Sequence, residues 1–423
     1  MSDPAAATDR KPDVGIRTLI GGDGIRGVGM LLVFFTHLFL IADPDDDNNM
    51  RSYGWAARIL GHIDLGLAAF FVLSGYLIAR PFARAYVAGT RRPPLADYVR
   101  NRVLRVVPAF YVFTVLVLLV YGFDGTLDSG ATNASSWWQV LGQFLFVQGQ
   151  TQGPASVPIG PAWSIGAEVG FYVLIPLSAF VAYRVGGRIA GQERRAAVAI
   201  AAIAFVTFVS IALRAQNKFE FAWLTSPPAI MYVFMPGVAV AIIEPLLAPR
   251  VRGKARLTKR IAWASFAAAA LAAVVYAKTD YDPRQTPIHH ALGQRALIAA
   301  MCTGALIFGM VVLQLGTDRA PRLFANRLML WMGARSYSFY LAHIAILFAI
   351  DHALGAGESI GARVVIMTAV GLPVTTAIAA LSYRYVELPF LERKRRAVTR
   401  GTDGGPSGPP VGADPLPAGA GAA

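Results

Sequence analysis

GIRGVGMLLVFFTHLFLIA, residues 24–42, decides the fold. Apart from Arg26 near its start, the stretch carries no charge, and as a helix it would be about 28 Å long. That matches the ~30 Å hydrocarbon core of a bilayer. Lipid offers an exposed backbone no hydrogen-bond partner, so such a block must be helical. Residues 1–18 before it are polar, which argues against a cleaved signal peptide. Working outward, the same signal recurs at 62–80, 104–122, 163–183, 196–213, 226–247, 261–277, 293–315, 329–350 and 363–386. The composition agrees: 55% of the 423 residues are hydrophobic and 15% charged, where a soluble domain carries about 25% charged residues. The expected fold is an all-α, polytopic membrane bundle of ten transmembrane helices. WWQVLGQFLFVQ, residues 137–148, is apolar but too short to span. Its two tryptophans suit a headgroup boundary, so an interfacial or re-entrant segment is expected there.

Charge sets the expected orientation. Between the second and third spans lie Arg80, Arg84, Arg91, Arg92, Arg100, Arg102 and Arg105. Residues 183–195 and 248–260 are likewise rich in Arg and Lys, and Arg393, Lys394, Arg395 and Arg396 follow the last span. The intervening segments differ: 43–50 holds Asp43, Asp45, Asp46 and Asp47, and 122–162 has no Lys or Arg. Positive loops stay in the cytoplasm, so both termini are read as cytoplasmic. A basic face beside anionic lipid then accounts for the net charge of +14 without nucleic acid. The single Cys302 lies inside an apolar span and supports no disulfide framework. The Gly-, Pro- and Ala-rich end and residues 1–18 read as disordered tails.

Function in such a chain is sought among polar residues inside the spans, where they face cavities or pathways. Arg26 and His37 are eleven residues apart in the first span. That separation places them on one helical stripe, about 16 Å apart along the axis. A neutral imidazole at His37 offers a lone pair for general-base work; the alternative is a histidine that only binds a neighbouring helix. In FFVLSGYLIARPF, residues 70–82, Ser74 and Gly75 form either a polar notch or a small-residue packing site. Arg102 and Arg105 share one face of the third helix. They are either a fork for phosphate or carboxylate or simple topological charges. Glu168 in PAWSIGAEVGFYVLIP, residues 161–176, is read as lying toward the outer side, as the partner of a buried cation or as a substrate contact. Tyr337, Ser338, Tyr340 and His343 crowd the ninth span, and Glu387 at the end of the tenth is expected to pair with an arginine for structural reasons. His62 and His352 sit at outer span ends, and His289 and His290 stand in a loop without a nearby carboxylate or cysteine cluster, so no metal site is expected.

Taken together, these strings resemble the acyltransferase-3 family of bacterial integral-membrane acyltransferases, over about residues 22–395. The family pattern is an Arg followed eleven residues later by a His, then FFVLSG(F/Y), Arg-x-x-Arg, WSLSxE before FY, SYSLYLxH and a late YRxxExP. This chain carries each in that order: Arg26 and His37, FFVLSGY at 70–76, Arg102 and Arg105, WSIGAEVGFY at 163–172, SYSFYLAH at 336–343 and YRYVELP at 383–389. Two departures stand out. Ala68 occupies a place before FFVLSG that is acidic in many relatives, and Gly166, Val169 and Gly170 replace polar positions beside Glu168.

The resemblance implies a membrane acyltransferase domain over residues 19–395, with disordered tails at 1–18 and 396–423, in the bacterial cytoplasmic membrane. It implies transfer of an acyl group, acetyl by default, from cytoplasmic acyl-CoA as co-substrate to a hydroxyl of a cell-envelope glycan or glycolipid. No bound cofactor is implied. His37 would act as base or carry the acyl group itself, and Arg26, Arg102 and Arg105 would bind the donor. Ser74, Gly75, Tyr76, Trp163, Ser164, Glu168, Tyr337, Ser338, Tyr340 and His343 are the further site candidates. Glu168 and the 122–162 loop are expected to contact the acceptor. An exported small metabolite such as a macrolide is the alternative acceptor, and a proton-coupled transporter the alternative class, though no inverted repeat or paired broken helices are visible.

Overall fold

The computed structural model describes residues 19–43, 63–121, 137–148, 162–186, 189–216, 221–279, 288–355 and 357–393. Among them are ten helices long and apolar enough to cross a membrane, as the sequence pattern predicts. They are α1 (Gly22–Ala42), α2 (Ile63–Ala88), α3 (Leu95–Tyr121), α5 (Trp163–Gly186), α6 (Gln192–Gln216), α7 (Pro227–Val251), α8 (Ala255–Lys278), α9 (Ile288–Thr317), α11 (Ser336–Leu354) and α12 (Ile360–Arg393). The shorter α4 (Trp137–Phe144) and α10 (Arg327–Ala334) complete the set used below. The two expected tails, residues 1–18 and 396–423, lie outside the described residues.

Local sequence explains where these helices stop. α2 ends at Gly89, whose φ of +70° lies in the left-handed region that glycine enters without a Cβ clash. Pro93 and Pro94 then block continuation until α3 begins at Leu95. α7 opens with Pro227 directly after Ser226, the position where a missing N–H costs no intrahelical bond.

Two close approaches build the core. A Cβ on Gly75 would run into the carbonyl oxygen of Phe234, and one on Gly237 into that of Val72, so α2 and α7 touch backbone to backbone. In the same way a Cβ on Gly24 would meet the Phe324 carbonyl, and one on Gly333 that of Asp23. This clamps the start of α1, and with it Arg26, against α10 and the short turn before it. α6 and α8 present large apolar side chains outward, among them Phe205, Phe208, Trp263 and Leu271, as lipid-facing helices do.

The structure corrects the predicted spans in four places. α2 continues to Ala88, so Arg80 and Arg84 are helical rather than loop residues. α3 starts nine residues before the predicted 104, at Leu95, so Arg100 and Arg102 belong to the same helix as Arg105. The ninth span is broken at Arg335 into α10 and α11. The tenth contains two π-helical turns, Met367–Gly371 and Tyr383–Glu387. The 137–148 segment is too short to span, as expected: α4 exposes Trp137 and Trp138, while Phe146 stacks on Phe110 at 4.7 Å and Gln148 is buried.

One buried cluster went unread in the sequence. Glu244 of α7, fully buried, accepts hydrogen bonds from Arg80 Nε at 2.8 Å, Arg80 Nη2 at 3.0 Å, Arg84 Nη2 at 2.5 Å and the Tyr76 hydroxyl at 3.1 Å. Tyr76, Arg80 and Arg84 are spaced by four and so form one face of α2.

Candidate active site

A cavity of about 220 Å3 lies between α1, α2, α3, α5 and α11. Arg26, Ser74, Arg102, Arg105, Ser164, Glu168, Tyr337 and Tyr340 all stand on its wall, together with Tyr172. Five elements therefore deliver eight of the residues singled out in the sequence to one space.

Polar side chains here are paired in part and available in part. The Ser74 hydroxyl donates to Glu168 Oε1 at 2.6 Å, and the Tyr172 hydroxyl also bonds that carboxylate. Ser164 Oγ and the Tyr340 hydroxyl lie 2.7 Å apart, and the Tyr337 hydroxyl donates to the Val106 carbonyl at 2.8 Å. Arg26 forms an ion pair with Asp23, one turn back on α1. Arg102 instead lies over the rings of Tyr98 and Tyr172, at 5.9 and 5.6 Å. Its buried Nε has no hydrogen-bond partner, and among the described residues neither Arg102 nor Arg105 has a carboxylate within ion-pair range. Two guanidinium groups on one helical face with free donors are suited to an anion.

His37 lies on the same helix as Arg26, eleven residues further along α1. It does not line this cavity. It is buried at 9% exposure and meets His343, which is fully buried, with ring centroids 5.0 Å apart. Nδ1 of His37 lies 2.9 Å from the Val33 carbonyl and 3.2 Å from His343 Nε2. Nδ1 of His343 lies 2.6 Å from the Tyr340 carbonyl. A carbonyl only accepts, so in neutral rings both Nδ1 atoms carry the proton. The one His37 Nδ1–H is then shared between the Val33 carbonyl and His343 Nε2, and His37 Nε2 is left as the lone pair. Tyr340 joins the two regions: its ring lines the cavity, and its centroid is 5.5 Å from that of His343.

The other candidates fall elsewhere, and neighbouring positions split by helical geometry. Gly75 is the packing residue between α2 and α7, while Ser74 beside it is the polar notch. Tyr76 turns away to Glu244. Ser338 donates to Glu387 Oε1 at 2.5 Å and contacts Ser382 Oγ at 2.7 Å, tying α11 to the second π turn of α12. Glu387 is thus bound by a serine, with no arginine in ion-pair range among the described residues, contrary to the expected arginine pair. Trp163 opens α5 and packs partly buried against the main core. Glu168, read as an outer-side acceptor contact, shares the cavity with the arginines, and its partners are hydroxyls rather than a buried cation. Most of the 122–162 loop and the side chains of His62, His289 and His290 lie outside the described residues; His352 is exposed at the end of α11.

Residues 20–384 match the acyltransferase-3 family, described as an acyltransferase domain. The chain belongs to the acyltransferase-3 family. It is 25% identical over 407 residues to the putative peptidoglycan O-acetyltransferase YrhL of Bacillus subtilis, covering 91% of this chain and 56% of that one. It is 22% identical over 388 residues to the peptidoglycan O-acetyltransferase OatA of Listeria monocytogenes, with 87% and 55% covered. It is also 22% identical over 410 residues to the putative O-acetyltransferase SACOL0978 of Staphylococcus aureus, with 90% and 59% covered. This acyltransferase-3 chain therefore spans between 55 and 59% of the length of these three relatives. No solved structure matches it.

Proposed function

We propose that this chain is a multi-pass O-acyltransferase of the bacterial cytoplasmic membrane, with both termini inside. In this reading it moves an acetyl group from cytoplasmic acyl-CoA to a hydroxyl of a cell-envelope glycan. The observation that carries the reading is the convergence of Arg26, Arg102 and Arg105 on one cavity whose back wall, Tyr340, touches the His37–His343 pair. The names of the relatives support acetyl as the acyl group and a wall glycan as acceptor.

The chemistry follows from these placements. The donor's phosphates meet the guanidinium groups at the arginine-rich end, and the thioester reaches into the cavity. The acceptor approaches from the other side, toward the end of α1 that holds His37. His37 Nε2 takes the hydroxyl proton as the oxygen attacks the thioester carbonyl carbon. The C–S bond then breaks, and the thiolate recovers a proton from the imidazolium. His343 is a positioning residue: beside the Val33 carbonyl, which fixes the tautomer, its Nε2 shares the Nδ1–H and steadies the charge that develops on the His37 ring. Tyr340 separates donor from histidines until both substrates are present, which limits loss of the thioester to water.

Mass spectrometry of wall glycans and envelope lipids from a deletion strain tests the reading. One acetyl ester is expected to disappear from a glycan fraction and to return with the wild-type gene. An unchanged ester profile accompanied by loss of transport of an unmodified solute would reject it.

A further inference from the structure

Beside the catalytic cavity, α3 and α5 diverge and leave an apolar groove of about 770 Å3. Its wall follows α3 from Leu95 to Val107, a rise of about 18 Å that is roughly one leaflet of hydrocarbon. Val99, Val103, Val173 and Leu177 are exposed along it. At one end the groove joins the catalytic cavity through Arg102, Val106 and Tyr172, which line both.

At the other end it joins a basic pocket through Arg92 and Phe180. Arg92 and Arg184 sit over the same Phe180 ring, at 5.4 and 5.0 Å, and Arg91 lines the same pocket. Among the described residues no carboxylate lies in ion-pair range of any of the three. Like charges gathered around one ring without an acid call for a mobile anion.

An apolar trough one leaflet long with an anion pocket at its mouth has the shape and chemistry of an anionic amphiphile. We propose that the α3–α5 groove binds an anionic phospholipid of the leaflet at the arginine-rich face. Its phosphate lies between Arg92 and Arg184, and one acyl tail runs along Val103 and Leu177 to close the side of the catalytic cavity. The pantetheine arm of CoA fits this trough poorly, because its amides would be left without partners against valine and leucine. The site is read by lipid binding, so its failure is distinct from failure of the transferase reading.

The test is native mass spectrometry of the full-length, delipidated protein in detergent, titrated with phosphatidylglycerol, with phosphatidylcholine of the same chains, or with CoA. Two arginines near a phosphate predict about thirtyfold tighter binding of the anionic lipid. Arg92→Gln with Arg184→Gln should reduce that preference to about twofold or less, and Val103→Trp, which fills the trough, should weaken both lipids. Equal binding of the two lipids by the wild-type protein overturns the proposal without any variant. So does an undiminished preference in the double variant, or displacement of phosphatidylglycerol by CoA that the double variant abolishes.

Discussion

Helix α2 carries a polar cluster on each of two faces, and the two differ in how fully they are paired. Ser74 and Tyr76 are two residues apart, a rotation of about 200° on a helix. On Tyr76's side, Glu244 receives four donor contacts from three side chains and is sealed from solvent. On Ser74's side, Glu168 is held by hydroxyls only and the nearby Arg102 keeps unused donors. Saturated pairing marks a group that holds helices together. Incomplete pairing around a cavity marks groups kept for a ligand, because a buried donor without a partner is costly unless something else supplies one.

The largest expected effect lies beside the open cluster. His37→Ala should lower acetyl transfer by about a thousandfold, the scale of a lost general base, while the purified protein still folds, destabilised by only about 1–3 kcal/mol for the lost buried hydrogen bond and packing. A variant that retains transfer removes His37 from the chemistry. Glu244→Ala should do the reverse. It removes the buried carboxylate that Arg80, Arg84 and Tyr76 share and is expected to cost about 3–5 kcal/mol, read as loss of folded protein in detergent melting curves. If Glu244→Ala is as stable as wild type, the structural reading of the closed cluster is wrong.

Arg102→Gln combined with Arg105→Gln should raise KM for the donor about ten- to a hundredfold, the range for charge-assisted bonds, with kcat less affected. A fall in kcat at constant donor KM would contradict their role. The sharpest local contrast is between adjacent residues. Gly75→Ala forces a methyl into the Phe234 carbonyl and should destabilise by about 1–3 kcal/mol. Ser74→Ala removes one hydrogen bond and should lower stability by only about 1 kcal/mol. Comparison of both melting curves with transfer rates separates packing from site.

Much of the open cluster was legible because its residues interrupt apolar blocks. A charge or hydroxyl amid leucines and valines announces itself, and Arg26, Ser74, Arg102, Glu168 and Tyr340 did converge. What stayed hidden was direction. Successive residues on a helix point about 100° apart, so Tyr76 and Ser338 were grouped with neighbours whose company they do not keep. Arg80 and Arg84 looked like loop charges because basic residues flank so many spans. Yet their positions four and eight residues after Tyr76, set beside Glu244 inside a predicted span, were the available signal: an acid within hydrocarbon needs a cation. The His37–His343 pairing had no such signal, since the contact spans 306 positions of sequence.

The π-helical turns of α12 carry a consequence for how this protein tolerates insertions and deletions. A π turn holds one residue more than the α-helical turn it replaces. Each of Met367–Gly371 and Tyr383–Glu387 is therefore a place where helix length and side-chain facing are decoupled. Removal of a single residue within the second would restore regular helix but rotate Glu387 by about 100°, away from Ser338. Single-residue indels in this helix thus act as a register dial on the wall behind the site, one that point substitutions cannot turn.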